Sequence, residues 1–175
     1  IINNIEECDI FISVLYDKIL NKNFLEQRKC YNFHPARLPE YRGVGAYSWV
    51  FINKESKTGI TLHLMNEGID MGDIIEIREF LILPDDTAYT LHNRGTEIMF
   101  KMFKDWYHDI LNENYIAVKQ TKKYKIYNQR DLENAKDITK YIKAFHFPGK
   151  ESMYYIDKEG NKVFIDLEKP YNDIR

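Results

Sequence analysis

Asn32 and His34 stand two apart in the run Tyr31-Asn32-Phe33-His34-Pro35, and Asp70 lies between two glycines in Gly68-Ile69-Asp70-Met71-Gly72. On an extended chain, side chains at i and i+2 project to one face, which sets an amide beside an imidazole. The glycines let the backbone bend the Asp70 carboxylate toward the same point. Such a trio suits attack of an amine on a carbonyl carbon of the formyl kind. The oxyanion that develops needs hydrogen-bond donors, which the Asn32 amide and a His34 N–H supply. The amine must lose a proton, which Asp70 can accept directly or through a water, and its charge also holds His34 protonated or correctly oriented. No metal and no covalent intermediate are required.

Taken singly, each of the three has a plainer reading: Asn32 as a turn or cap residue, His34 as a satisfied structural histidine, Asp70 as ordinary turn chemistry. His63 falls at a strand position, where an inward structural hydrogen bond competes with a ligand contact. Ser13, Ser48 and Cys30 lack a nucleophile signature such as a Gly-x-Ser-x-Gly elbow, so a serine or cysteine hydrolase fits poorly. The two cysteines, Cys8 and Cys30, have no Cys or His partner at metal spacing and read as reduced, buried thiols.

The elements that must hold these residues follow from the pattern. Ile10, Phe11, Ile12, Val14 and Leu15 make a nearly continuous apolar run, which predicts a strand from Asp9 to Leu15 buried on both faces of a parallel sheet. Cys30 to Phe33 is a second strand that ends at His34-Pro35, where proline disfavours further pairing and the strand end opens onto a site. Gly45 to Lys54 reads as a short helix, and Thr58 to Met65 and Asp73 to Leu83 as strands meeting at an Asn66-Glu67-Gly68 corner. Asp85, Asp86 and Thr87 offer a helix cap. Leu91, Ile98, Met99, Met102, Phe103, Trp106 and Ile110 then recur as one face of a long amphipathic helix, whose Met and aromatic stripe is core. From Asn112 to Lys136 the chain turns polar, and its basic stretch Lys119 to Lys125 reads as a solvated face. Asp137 to Phe145 reads as a short helix, and Met153 to Ile156 with Lys162 to Ile165 as a β-hairpin turning near Gly160.

With 175 residues, 44% of them hydrophobic, one main domain is expected. A net charge of -2 argues against the overall basic surface that drives non-specific nucleic-acid binding. No apolar run approaches the roughly 18 residues that span a bilayer, and Asn3, Asn4, Glu6 and Glu7 stand where a signal peptide is apolar, so a cytoplasmic protein is expected. The chain opens on Ile1-Ile2 without an initiator Met and reaches its first strand almost at once, which reads as a fragment lacking an N-terminal part.

The run Asn32-Phe33-His34-Pro35-Ala36-Arg37-Leu38-Pro39-Glu40-Tyr41-Arg42-Gly43 resembles a signature of the folate-dependent formyltransferase superfamily. Thr58-Gly59-Ile60-Thr61-Leu62-His63 through Gly68-Ile69-Asp70-Met71-Gly72-Asp73-Ile74-Ile75 resembles its second signature, in the same order and at the usual separation. Two long motifs together are far more specific than a lone tripeptide. The resemblance covers Asp9 to Leu111 and, more loosely, Ile138 to Ile156, where Tyr141 to Gly149 is similar to a linker motif. It implies an α/β fold with a mostly parallel, doubly wound sheet and the site at the carboxyl ends of strands. It also implies Asn32, His34 and Asp70 as the catalytic trio, with His63, Arg42 and Gly43 at the substrate. The implied donor is 10-formyltetrahydrofolate, its pterin held largely by the backbone of Leu15 to Leu20, with Tyr16, Asp17, Lys18 and Ile19, and of Met65, Asn66 and Glu67. On this reading residues 1–118 are the C-terminal portion of a catalytic domain, 119–136 a connector, and 137–175 an extension with a short helix and a hairpin.

Three acceptors compete within the resemblance. A methionyl-tRNA formyltransferase continues past the linker motif into a barrel domain with a basic face, whereas the tail after Gly149 is short and Glu151, Asp157, Glu159, Asp166, Glu168 and Asp173 make it as acidic as basic. A glycinamide ribonucleotide formyltransferase stops near the long helix. Linker plus hairpin resembles the sugar N-formyltransferases, so the expected partner is a nucleotide-linked amino sugar, with neither nucleic acid nor membrane. A formyltetrahydrofolate hydrolase, using water as nucleophile, and a non-catalytic fragment that keeps the fold are the alternatives. Tyr154 or Tyr155 is expected to stack on a base, to join a homodimer interface, or to pack within its own hairpin.

Overall fold

The structure, a computed structural model, describes residues 8–16, 18–122, 124–127, 142–149, 154–156 and 159–164. Along the chain the elements run β1 (Ile10–Val14), α1 (Lys22–Glu26), β2 (Lys29–His34), β3 (Arg42–Gly43), α2 (Ala46–Ile52), β4 (Lys57–Leu64) and β5 (Ile74–Leu81). They continue as α3 (Ala88–Leu111), β6 (Ile126–Tyr127), α4 (Ile142–Phe145), β7 (Tyr154–Ile156) and β8 (Lys162–Phe164). The main sheet has the order β1-β2-β4-β5. Its first pair is parallel and the next two are antiparallel. The α/β class stands. The parallel character expected of most of the sheet belongs to one of its three described pairings, since the short turn between β4 and β5 brings the chain back antiparallel beside itself.

Alternation decides which way the sheet faces. Tyr31 and Phe33 on β2 and Ile60 and Leu62 on β4 pack with Met99, Met102 and Ile110 of α3 in one buried cluster. The intervening residues, Asn32, His34, Thr61 and His63, therefore point to the opposite face. The Met and aromatic stripe of α3 is core, as its spacing predicts. This helix starts where Thr87 and Thr90 exchange side-chain and backbone hydrogen bonds in a capping box. A second cluster joins Tyr41, Tyr47, Trp49 and Val50 to Ala88 and Leu91. Against it α4 is tied by the Ser48 hydroxyl donating to the Ala144 carbonyl at 2.6 Å. Among the described strands of this sheet β1 is an edge, and Val14 and Leu15 are 44% and 43% exposed, so the burial on both faces read from its sequence is not reached.

β7 and β8 pair antiparallel with Gly160 at φ +87° in the turn, matching the expected hairpin. Helix α1, strands β3 and β6, and an isolated bridge between Ile74 and Val118 had no counterpart in the sequence reading. Residues 137–141 of the expected last helix, Met153 and Ile165 of the expected hairpin, and Asp17 lie outside the described residues. Among the described residues no helix is long and apolar enough to cross a membrane.

Candidate active site

Register builds the first wall of the site. β2 and β4 are paired so that Asn32 lies opposite His63 and His34 opposite Thr61. His63 Nδ1 stands 2.6 Å from the Leu64 carbonyl, and its Nε2 stands 3.2 Å from Asn32 Nδ2. A carbonyl only accepts, so Nδ1 carries the proton and Nε2 is left as an acceptor for the Asn32 amide. Burial, with the nearby His34 adding to it, pushes the His63 imidazole down to about 4, so this neutral form holds at neutral pH. The Asn32 NH2 thereby points at His63 and, at 3.4 Å, at Asp70 Oδ1. Both contacts are long enough for a better acceptor to replace them.

His34 is fixed by the same logic. Its Nε2 is 2.6 Å from the Tyr41 carbonyl and must donate to it, so Nδ1 is the nitrogen left to face the site. Nδ1 lies 3.5 Å from Asp70 Oδ2, with the two side chains 4% and 15% exposed. A proton on Nδ1 makes an imidazolium facing a carboxylate in a largely water-free setting.

Asp70 forms the second wall, on the turn between β4 and β5. Its φ is +50°, so the left-handed bend falls on Asp70 itself, not on the glycines beside it. Those glycines matter for space: a Cβ on Gly72 would lie 1.7 Å from the Leu64 carbonyl oxygen, and one on Gly68 would lie 2.7 Å from Met71 Sδ. The Gly43 backbone N–H donates to Asp70 Oδ2 at 2.8 Å.

The trio opens into a cavity of about 480 Å³ that is also lined by Leu15, Tyr16, Lys18, Ile19, Leu20, Met65, Asn66 and Glu67. Every described residue expected to hold the donor is therefore on this one wall system; Asp17 is outside the described residues. Of the three residues expected at the substrate, His63 and Gly43 line the cavity. His63 has both ring nitrogens engaged within the protein. Arg42 does not line the cavity: it is 2% exposed and turned toward Gln120, whose Oε1 accepts from its Nε at 3.2 Å and its Nη2 at 2.6 Å. Gln120, half-buried, was missed because it sits in a stretch read as a solvated face. The available signal was the apolar run Tyr115-Ile116-Ala117-Val118 just ahead of it, which bridges to β5 at Val118. Lys119, Lys122 and Lys125 of that stretch are exposed as expected. Ile126 and Tyr127, assigned by sequence to a connector, also line the cavity. Cys30 is buried as expected and its thiol is pushed up to about 11 by burial, whereas Cys8 is only half-buried.

Residues 3–105 match the family model described as formyl transferase. The methionyl-tRNA formyltransferase of Alkaliphilus oremlandii is 42% identical over 109 residues, a stretch covering 58% of this chain and 35% of that protein. The chain thus spans about a third of the length of that curated relative. Among solved structures, a 4-N formyltransferase from Francisella tularensis superposes with a TM-score of 0.85 at 27% identity, over 94% of this chain and 72% of that one. The N-formyltransferase from Helicobacter canadensis, solved with folinic acid and dTDP-3-aminofucose, superposes with a TM-score of 0.69 at 31% identity, over 78% of this chain and 55% of that one.

Proposed function

This chain belongs to the formyl transferase family, and from that premise we propose that it carries the reacting centre for transfer of a formyl group from 10-formyltetrahydrofolate to the primary amine of a nucleotide-linked amino sugar. One observation carries the reading: Asn32, His34 and Asp70 converge on a single cavity that is also walled by Leu15, Tyr16, Lys18, Ile19 and Leu20 and by residues 65–69. The cavity suits a flat heterocycle, with apolar side chains such as Leu15, Ile19 and Met65 along its wall.

The amine reaches the formyl carbon beside Asp70, which takes the proton that the amine loses as the carbon–nitrogen bond forms. The developing oxyanion is a stronger acceptor than His63 Nε2 or a 3.4 Å carboxylate contact, so an Asn32 N–H exchanges onto it, and protonated His34 Nδ1 supplies the second donor. Collapse of the intermediate breaks the bond between the formyl carbon and the folate nitrogen, which takes back from Asp70 the proton that the amine gave up, so tetrahydrofolate leaves with an N–H and the Asp70 carboxylate is restored. The reading places the reaction in the cytoplasm.

The sugar acceptor is supported by the likeness to the Helicobacter canadensis N-formyltransferase, which was solved with dTDP-3-aminofucose and superposes over 78% of this chain at 31% identity. The sequence relatives favour a second reading, formylation of methionyl-tRNA. The test is tetrahydrofolate release by the full-length gene product from 10-formyltetrahydrofolate, with 3- and 4-amino nucleotide sugars in one arm and charged initiator tRNA in the other. Release that requires an amino sugar supports the first reading. Release that requires tRNA replaces it, and release without any acceptor identifies a hydrolase.

A further inference from the structure

Asp70 belongs to no strand, yet its carboxylate must stay aimed at Asn32 and His34. The turn that carries it is closed at its base by Leu64 N–H donating to the Asp73 carbonyl at 2.9 Å. Inside that closure are two local bonds, from Gly68 N–H to Asn66 Oδ1 at 2.9 Å and from Met71 N–H to the Gly68 carbonyl at 3.3 Å. Neither involves Asp70. The carbonyls of Asp70 and Gly72 both accept from a residue fifty positions along the chain, Gln120, whose Nε2 lies 3.0 Å and 2.7 Å from them.

Resting on the reading that Asp70 takes the proton of the amine, we propose that Gln120 is a positioning residue, a strap that holds the Asp70 backbone in its left-handed conformation and so aims its carboxylate. A primary amide fits this task by having two unlike ends. Its NH2 gives one hydrogen to each carbonyl, and its oxygen accepts from the buried guanidinium of Arg42, which fixes which end faces the turn. Arg42 is followed directly by Gly43, whose N–H holds Asp70 Oδ2. Asp70 is thus gripped at its carbonyl through Gln120 and at its carboxylate through Gly43, and the two grips meet at Arg42-Gly43. The two-way hydrogen bonding of Ile74 with Val118, at 2.9 Å and 2.7 Å, delivers Gln120 to the turn.

A carboxylate at this position keeps the pairing with Arg42 and loses both donors, so Gln120→Glu separates the strap from mere support of Arg42. Gln120→Met removes both and guards against a charge artefact. Deuterium uptake of the full-length protein is followed in peptides spanning residues 66–73, together with kcat and the Kd for folinic acid. We expect exchange in residues 66–73 to be about tenfold faster in both variants while peptides from β2 and β4 stay unchanged. Where the wild type transfers formyl groups, kcat should fall about ten- to a hundredfold with the folinic acid Kd held within about twofold. Wild-type exchange in Gln120→Glu, or a Kd that worsens in step with kcat, overturns the strap. A wild type silent with every acceptor defeats the proposed function instead, and the exchange comparison still decides the strap.

Discussion

The two walls of the site are held by different kinds of bonding. Asn32, His34 and His63 ride on paired strands, where each orientation follows from register and from the apolar neighbours that alternate with them. Asp70 rides on a turn, held by Gly43 and Gln120, which are distant in sequence. The strand wall is locked by the fold's own core and cannot be disturbed without threatening stability. The turn wall rests on a few polar bonds and can lose its aim in a protein that stays folded. Activity and stability should therefore come apart on one wall and move together on the other.

The largest expected effect is at the tip of the turn wall. Asp70→Asn keeps the shape and removes the base, so kcat should fall by about 10² to 10⁴ with a melting temperature close to wild type. On the strand wall, Phe33→Ala empties a fully buried site between Asn32 and His34, behind both of them. It should cost about 3–5 kcal/mol in denaturant unfolding, with activity lost in proportion to the folded fraction. A Phe33→Ala protein that is stable but inactive, or an Asp70→Asn protein that unfolds early, would break the contrast between the walls.

That contrast also explains what could be read from the sequence. Strands β2, β4 and β5, helix α3 and the terminal hairpin were legible because alternation, capping and turn residues are local signals. Asn32, His34 and Asp70 stood out through motif resemblance, and i, i+2 spacing placed the first two on one face. What stayed hidden was every contact made by a short or isolated pairing. β3 and β6 are two residues each, too short for any periodicity, and the Ile74–Val118 bridge is a single residue pair. Arg42 looked like a ligand contact because a lone arginine in a polar motif carries no sign of an amide partner 78 positions along the chain. The glycines around Asp70 looked like hinges, although it is crowding against Leu64 and Met71 that keeps them small.

Crowding gives an intermediate test. Gly72→Ala would force a methyl against the Leu64 carbonyl, so the turn must shift away from β4. A cost of about 1–3 kcal/mol is expected in urea unfolding, together with a fall in kcat larger than the stability loss explains. Equal falls in the two would place Gly72 with the strand wall and redraw the boundary between them.

The smallest effect sharpens the strand wall by pH. In the unfolded chain His63 takes a proton near 6.5, whereas in the folded protein burial holds it unprotonated down to about 4. Between those values the unfolded state binds the extra proton, so the contribution of His63 is fully present above about 6.5 and is lost as pH falls toward 4. The slope for one such group approaches about 1.4 kcal/mol per pH unit. His63→Gln still offers Asn32 an acceptor and has nothing to titrate, so its urea midpoints from pH 7 to pH 4.5 should fall less steeply than those of the wild type. The other four histidines are common to both proteins, which makes the difference between the two slopes the informative quantity. Parallel slopes would mean that folded His63 protonates as readily as in the unfolded chain. Its Nε2 would then not be the fixed acceptor that orients Asn32, and the strand wall would owe that orientation to Asp70 alone.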